Sequence, residues 1–188
     1  MHKIQEITPL GSNSPHSDYF KGLNILEVAN RSLVVLSARR ERETELVDLI
    51  KEHLGLNLPD VAKSSCIGDL VARWIRPNTW MVEAPYIGQE ILETELKKHV
   101  GNVGSVVDQT DVWCLFDING PHCLNVLERL CNVDTSVMVA GAISSTQLEH
   151  LSCFIICKAE QRDFRIMGPR SAAASLRHAI ISASVSVT

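Results

Sequence analysis

The chain has 188 residues, of which 45% are hydrophobic and 21% charged, so it is long enough to bury a sizeable core. Its 18 basic and 22 acidic residues give a formal net charge of -4, which argues against nucleic acid as a partner. No apolar run approaches the ~18 residues needed to cross a bilayer, and residues 1–18 lack the apolar core of a secretory signal. These features predict a cytoplasmic protein with no membrane partner.

Periodicity divides the chain into an arm and a domain. Residues 1–22 hold Pro, Gly, Ser, Asn and His in no regular order, which predicts a loosely ordered N-terminal arm. Residues 23–184 are predicted to form a single α+β domain. Its first elements are predicted to be strands at 23–28 and 32–38, a helix at 43–54 ended by Gly55, a hairpin of 66–76 and 79–84 turning at Pro77-Asn78, and a helix at 88–100.

A strand-to-helix turn lies at the centre of the chain. Residues 112–118 are apolar and aromatic, and Asn119-Gly120-Pro121 interrupts them, with Pro121 suited to the first helical position. The helix that follows is predicted to bury Leu124, Leu127, Leu130 and Cys131. The remaining predicted elements are strands at 137–143, 150–158 and 163–167, and a final helix capped by Ser171.

An internal repeat is visible at one constant spacing. Pro85, Leu92 and Leu96 are followed 84 residues later by Pro169, Leu176 and Ile180. A strand and a helix precede each of these sets. The simplest architecture is therefore two related β-α-β-β-α halves, at about 23–101 and 102–184.

The search for catalytic motifs assigns no catalytic, cofactor-binding or metal-binding residue. The sequence has no GxSxG, Walker-type loop, HExxH or GxGxxG. Asp108 and Asp111 could act as a carboxylate pair, but turn or capping roles are favoured at a strand entrance. The tryptophans could stack a planar ligand, but packing in a core or an interface is favoured; they are Trp74, Trp80 and Trp113.

The histidine and cysteine positions favour packing over metal binding. His53 falls near the apolar stripe of its helix, and we expect it to be half-buried, without a second ligand beside it. The six cysteines form no CxxC pair, so buried, reduced thiols are expected. Cys153 and Cys157 should share one face of a strand, and His150 is the lone histidine nearby.

Four short segments, spread over residues 30–183, resemble one protein family in residues, order and spacing. They are the stretch Ser105-Val106-Val107-Asp108 with Asp111, Trp113, Gly120-Pro121 and Val126-Leu127; the segment from Cys131 to Asp134; the hairpin from Arg73 to Val82; and Pro169-Arg170-Ser171 before a last helix. Together they resemble the gamma subunit of heterotetrameric sarcosine oxidase. Thr135 departs from the pattern, since a leucine is expected there.

The resemblance implies the folate-binding aminomethyltransferase fold, with two related α+β halves. It implies a complex with alpha, beta and delta subunits that oxidatively demethylates sarcosine to glycine. Hydrogen peroxide and either formaldehyde or methylene-tetrahydrofolate would be the other products. FAD, FMN and NAD are expected on the alpha and beta subunits and zinc on delta, with none on this chain. This chain would be non-catalytic and would support assembly. Gamma subunits of related N-methyl amino acid dehydrogenases are similar, so the substrate stays open.

One motif favours a different class of protein. Tyr86-Ile87-Gly88-Gln89-Glu90 is similar to the end of the Lys-Gly-Cys-Tyr-x-Gly-Gln-Glu signature of folate-dependent iron–sulfur assembly proteins. Glu83-Ala84-Pro85 replaces the first part of that signature, and the motif lies earlier in the chain than in that family. A folate-binding protein of this type is therefore the alternative to the subunit hypothesis.

Overall fold

The computed structural model describes residues 6–88 and 91–188, and its mixture of helices and antiparallel strands confirms the predicted α+β class. The strands are β1 (Ser17–Phe20), β2 (Leu23–Val28), β3 (Arg31–Ala38), β4 (Ser64–Ile67), β5 (Leu70–Arg76), β6 (Thr79–Pro85), β7 (Gly104–Asp108), β8 (Trp113–Asn119), β9 (Ile143–Leu148), β10 (Leu151–Ala159) and β11 (Asp163–Pro169). The helices are α1 (Glu43–Leu54), α2 (Ile91–Val100), α3 (Cys123–Leu130) and α4 (Ala173–Val185). Across the described ranges, no helix has the length and apolarity needed to span a membrane.

The described residues form two compact units. We call Asn30–Thr110 the continuous unit, and we call the described residues up to 29 together with Asp111–Thr188 the split unit. Each unit contains one antiparallel sheet, with strand order β4-β5-β6-β3-β7 in the continuous unit and β1-β2-β8-β11-β10-β9 in the split unit.

The core of the continuous unit forms where α1 and α2 pack on one face of its sheet. Leu46 and Ile50 of α1 are fully buried against alternate residues of the central strands, such as Val34 and Val82. Gly55 ends α1 as predicted, because it adopts a φ of 65° and donates its N–H to the carbonyl of Lys51.

The hairpins of the continuous unit confirm one prediction and correct another. The turn at Pro77-Asn78 joins β5 to β6, and Asn78 takes a φ of 55° there. The segment 66–76, however, is not one strand. It contains the end of β4, a turn in which Gly68 has a φ of 55°, and β5.

The turn before α3 is set by close backbone packing. Gly120 has a φ of 128°, and a Cβ atom there would lie 2.4 Å from the carbonyl oxygen of Gly22. The prediction that Pro121 begins the helix is wrong, because α3 begins at Cys123. The predicted stripe also changes. The fully buried residues of α3 are Cys123, Val126 and Leu127, whereas Leu124, Leu130 and Cys131 are only partly buried.

The C-terminal third differs from prediction in three places. Residues 137–143 are not a strand, because Val137 ends a short 3-10 turn and β9 begins only at Ile143. The strand predicted at 150–158 is one arm of a hairpin, whose two-residue turn holds Glu149 and His150 at φ values of 47° and 66°. Ser171 does not cap the last helix, which begins at Ala173 without a side-chain cap.

The described part of the N-terminal arm is more ordered than predicted. Residues 17–20 form β1, which pairs with β2. Glu27 of β2 is 2% exposed, and its two carboxylate oxygens accept hydrogen bonds from the backbone N–H groups of Leu10 and His16, each at 2.9 Å. Since a buried carboxylate needs such donors, these bonds hold the arm in place.

The predicted internal repeat is visible in the structure as the same order of helices and strands in both halves. Each half has one strand more than predicted. β3-α1-β4-β5-β6-α2 matches β8-α3-β9-β10-β11-α4, and the sheets contain the corresponding orders β4-β5-β6-β3 and β9-β10-β11-β8. The boundaries at 23–101 and 102–184 need correction, because β2 pairs with β8 and β7 pairs with β3. That the two units form a single domain stays a prediction.

Candidate functional site

A buried ionic cluster lies at the centre of the split unit's sheet. Asp117 of β8 is directly opposite Arg165 of β11, and each is 7% exposed. Arg165 donates from Nε to Oδ1 of Asp117 at 2.6 Å and from Nη2 to Oδ2 at 3.0 Å. Lys158 adds a third donor, with its Nζ 2.9 Å from Oδ2 of Asp117 and 3.2 Å from Oδ2 of Asp163. The carboxylate is therefore held by two cationic side chains.

The continuous unit has a comparable cluster around Glu83. This residue of β6 is 3% exposed, and Arg31 of β3 donates from Nε to its Oε1 at 2.6 Å. Arg73 of β5, which is 7% exposed, donates from Nη1 to the other carboxylate oxygen. Alternation along the strands places Glu83 and Arg73 on the sheet face opposite the helices, since Val82 and Ala72 belong to the helix-facing core.

The electrostatics of Asp117 indicate a structural role. Burial raises the pKa of this carboxyl, but hydrogen bonds and charges from Arg165 and Lys158 outweigh burial and leave the pKa below its usual value. A general base or acid works best with a pKa near the operating pH. Asp117 is therefore ionised at neutral pH and serves as the ion-pair partner of Arg165.

The two aspartates considered as a carboxylate pair have separate local roles. Oδ1 of Asp108 accepts a hydrogen bond from the hydroxyl of Thr110 at 2.7 Å, and that hydroxyl oxygen accepts one from the backbone N–H of Leu33 at 3.1 Å. Asp111 has a side chain that is 79% exposed, and its Oδ1 lies 3.4 Å from Nη1 of Arg170. Asp108 thus orders a turn after β7, and Asp111 makes a surface ion pair.

The tryptophans are used in packing within each unit. Trp74 and Trp80 are cross-strand partners, and Trp80 donates its Nε1–H to the carbonyl of Pro59 at 2.9 Å. Trp113 of the split unit makes an edge contact with Phe154, with ring centroids 5.8 Å apart. The Nε1 of Trp113 is buried and has no acceptor within the described residues.

The prediction for His53 is wrong on both counts. The side chain is exposed rather than half-buried. It also has a histidine beside it: the ring of His99 lies 4.8 Å away between centroids, with an angle of 24° between the ring planes. Sequence spacing hid this pair because the two residues lie on different helices, α1 and α2.

Four of the six thiols are buried as expected, whereas Cys131 is partly buried and Cys66 is exposed. All six cysteines are free, and Cys66 is exposed on the edge strand β4. Burial raises the pKa of Cys114 to about 12 and that of Cys123 and Cys153 to about 11 each. Cys153 and Cys157 share the helix-facing side of β10, as predicted. In the part of the chain that the structure describes, no three His, Cys, Asp or Glu side chains are grouped to hold a metal.

The grooves of the split unit are wide and open. One of about 1020 Å³ runs beside α3 and α4, and small side chains such as Ala179 and Ser182 line it along α4. A second, of about 800 Å³, follows β9 and shares Arg129 and Glu149 with the first. Small-molecule sites bury most of their ligand's surface, and grooves this open do not.

The motif behind the folate-binding alternative is only partly described. Gln89 and Glu90 lie outside the described residues. Of the rest, Ile87 is 74% exposed, and the backbone N–H of Tyr86 donates to the carbonyl of Asn30 at 2.9 Å. The described part therefore belongs to the connection between β6 and α2.

Comparison with known proteins finds related structures rather than related sequences. No protein-family model and no curated protein matches the chain. A chain of the heterotetrameric sarcosine oxidase from Corynebacterium sp. U-96, solved in complex with pyrrole 2-carboxylate, matches with a TM-score of 0.76 at 20% identity. The match covers 88% of this chain and 85% of that one, so the two chains are similar in length.

A second structure with the same fold is much longer. The glycine cleavage system aminomethyltransferase T from Bartonella henselae matches with a TM-score of 0.63 at 15% identity. That match covers 85% of this chain but only 45% of the aminomethyltransferase, so this chain corresponds to less than half of it. At these identities the likeness establishes the fold: this chain has the α+β fold shared by the sarcosine oxidase chain and aminomethyltransferase T.

Proposed function

We propose that this chain is the non-catalytic gamma subunit of a sarcosine oxidase-type flavoenzyme complex. The complex would oxidatively demethylate sarcosine to glycine, with hydrogen peroxide and formaldehyde or methylene-tetrahydrofolate as the other products. Alpha, beta and delta subunits would carry FAD, FMN, NAD and zinc, and this chain would contribute to their assembly and stability in the cytoplasm.

The reciprocal coverage of the first structural match carries the proposal. The match covers 88% of this chain and 85% of one chain of a heterotetrameric enzyme, which supports a comparison with a subunit of such an enzyme. The buried ion pairs support the non-catalytic part of the proposal. Asp117 and Glu83 are held by arginines inside the sheets, so neither carboxylate is free to act on a substrate. Four sequence segments that resemble gamma subunits point the same way.

Co-expression tests the assembly role directly. The chain should co-purify in equal amounts with alpha, beta and delta partners encoded beside it, and its omission should lower the yield or melting temperature of the complex. Purified alone, the chain should show no flavin absorbance and no oxidation of sarcosine. Sarcosine oxidation by the isolated chain at the rate of the complex, or a complex that assembles equally well without it, would refute the proposal.

The substrate of the complex needs a separate measurement. Gamma subunits of related N-methyl amino acid dehydrogenases resemble this chain too, so the fold does not select the substrate. A panel of N-methyl amino acids, assayed with oxygen and with an artificial electron acceptor, distinguishes the members of this group. Preference for sarcosine with hydrogen peroxide formation is expected.

A folate-binding function is the second candidate, and the match to aminomethyltransferase T favours it. Titration of tetrahydrofolate into the isolated chain separates the two candidates. Saturable binding with one site per chain would support the folate-binding alternative. Binding that appears only in the assembled complex, or none at all, is the result expected for a gamma subunit.

A further inference from the structure

His53 and His99 face each other between the two helices of the continuous unit. His53 lies in the last turn of α1, and His99 lies in the last turn of α2. Their ring centroids are 4.8 Å apart, His53 is exposed, and His99 is half-buried. Both helices are fixed to the same core through Leu46 and Leu96. The spacing of the two imidazoles is therefore set by packed helices and not by a loop.

We propose that His53 and His99 form a surface binding site for a divalent transition-metal ion such as Zn²⁺, Ni²⁺ or Cu²⁺. Neutral imidazole is a preferred ligand of these ions. With metal–nitrogen distances of about 2.0–2.1 Å, two imidazoles on one tetrahedral ion hold their ring centroids about 5 Å apart. The observed separation of 4.8 Å meets this requirement without movement of either helix.

The orientation of the rings needs only a local adjustment. The ring planes now lie at 24° to each other. The terminal χ2 torsion of histidine is broad, so each ring can turn a nitrogen toward a common point. The ring of His53 is exposed to solvent and therefore has room to turn.

The surroundings of the pair define an open site. Glu95 lies one helical turn before His99, and its carboxylate is 2.5 Å from Nζ of Lys98. The hydrogen bond from Lys98 lowers the pKa of Glu95, and the nearby His99 contributes to the same shift. Because no third His, Cys, Asp or Glu completes a cluster within the described ranges, water would fill the other positions. The ion should therefore exchange readily and stabilise the contact between α1 and α2 by linkage.

The test uses the full-length chain with Cys66→Ser as background, since an exposed thiol would bind the same ions. Isothermal titration with Ni²⁺ and thermal melting with and without Ni²⁺ are measured for this parent and for His53→Gln and His99→Gln. His178→Gln is the matched control, because His178 is an exposed histidine on α4 of the split unit. His53→Gln changes an exposed side chain, so it tests the site without disturbing the fold.

The expected result is one Ni²⁺ site per chain, with a rise in melting temperature. Each of His53→Gln and His99→Gln should weaken binding by at least about 10-fold, since even the loss of a group that only orients a metal ligand costs about 10–100-fold in affinity. His178→Gln should bind as the parent does. No saturable binding by the parent, or unchanged affinity in His53→Gln, would overturn the proposal.

Discussion

Asp117→Asn should strongly destabilise the split unit, because it removes one charge of a buried ion pair and leaves the other. Arg165 makes two hydrogen bonds to the Asp117 carboxylate, at 2.6 and 3.0 Å, and both residues are 7% exposed. Loss of one partner from a buried pair costs about 3–5 kcal/mol, because the remaining charge is desolvated without compensation. We expect the free energy of unfolding, measured by urea denaturation at neutral pH, to fall by that amount.

The same ion pair gives the stability a pH dependence of defined sign. The pKa of Asp117 in the folded chain lies below its usual value, because Arg165 and Lys158 outweigh the opposing effect of burial. A carboxyl of this kind stabilises the fold at pH values above its unfolded-state pKa of about 3.9. The stabilisation is lost as the pH falls through the lower folded-state value. Asp117→Asn should therefore flatten the acid limb of the stability profile.

Two variants serve as controls for this prediction. Glu95→Gln removes one partner of the exposed pair with Lys98 and should leave stability unchanged, since such pairs contribute little. The double variant Asp117→Leu with Arg165→Met replaces the buried pair by apolar side chains and should be more stable than Asp117→Asn. An Asp117→Asn protein as stable as the parent, with the same acid limb, would refute the structural role assigned to this cluster.

Three further measurements test the packing. Gly120→Ala should prevent stable folding, because a Cβ there would lie 2.4 Å from a carbonyl oxygen. Gly11 is the control: its φ is 79° but a Cβ there would have no atom within 4 Å, so Gly11→Ala should cost only backbone strain. Leu127→Ala should lower the free energy of unfolding, measured by urea denaturation, by about 2–5 kcal/mol, because it opens a cavity in the core. Pro121→Ala should lower it by under about 1 kcal/mol. Equal losses in the two variants would contradict the assigned core. In the native state a thiol reagent should modify Cys66 quickly and the four buried thiols of the split unit slowly. Fast modification of Cys114, Cys123, Cys153 or Cys157 would contradict their burial.

Elements with a complete local signal were predicted well from the sequence. The helix at 43–54 has the observed bounds, because its apolar spacing is regular and Gly55 ends it in the left-handed conformation. The turn at Pro77-Asn78 was found for a similar reason, since Asn tolerates a positive φ. In both cases the signal lies within a few residues of the feature it specifies.

Elements whose signal is weak or distant were missed. The turn between β9 and β10 uses Glu149 and His150 at positive φ, and neither residue normally marks such a turn. Val137, the predicted start of a strand, instead ends a 3-10 turn at 135–137, where Asp134 accepts a hydrogen bond from the backbone N–H of Ser136. That Asp-x-Ser pattern is a local turn signal that could have been used.

The buried charges and the histidine pair could not be predicted, because they depend on pairing across elements. Arg165 contacts Asp117 only because the register of β8 and β11 places the two directly opposite each other. His99 approaches His53 only because two helices cross on one sheet. The sequence also does not indicate that β2 pairs with β8 and that β7 pairs with β3, because these pairings join strands far apart in the chain. Strand partners are chosen by tertiary packing, which periodicity does not encode.

The fold leaves open whether this chain acts as an enzyme or as a subunit, because one architecture supports many functions. The chemistry of its buried groups bears on which side chains could take part in catalysis. A catalytic carboxyl would need a pKa raised toward neutrality, whereas that of Asp117 is lowered by two cations. The thiols with pKa values of about 11 and 12 are poor nucleophiles at neutral pH. These groups belong to the sheet and core of the split unit, where their chemistry fits packing rather than acid–base or thiol catalysis.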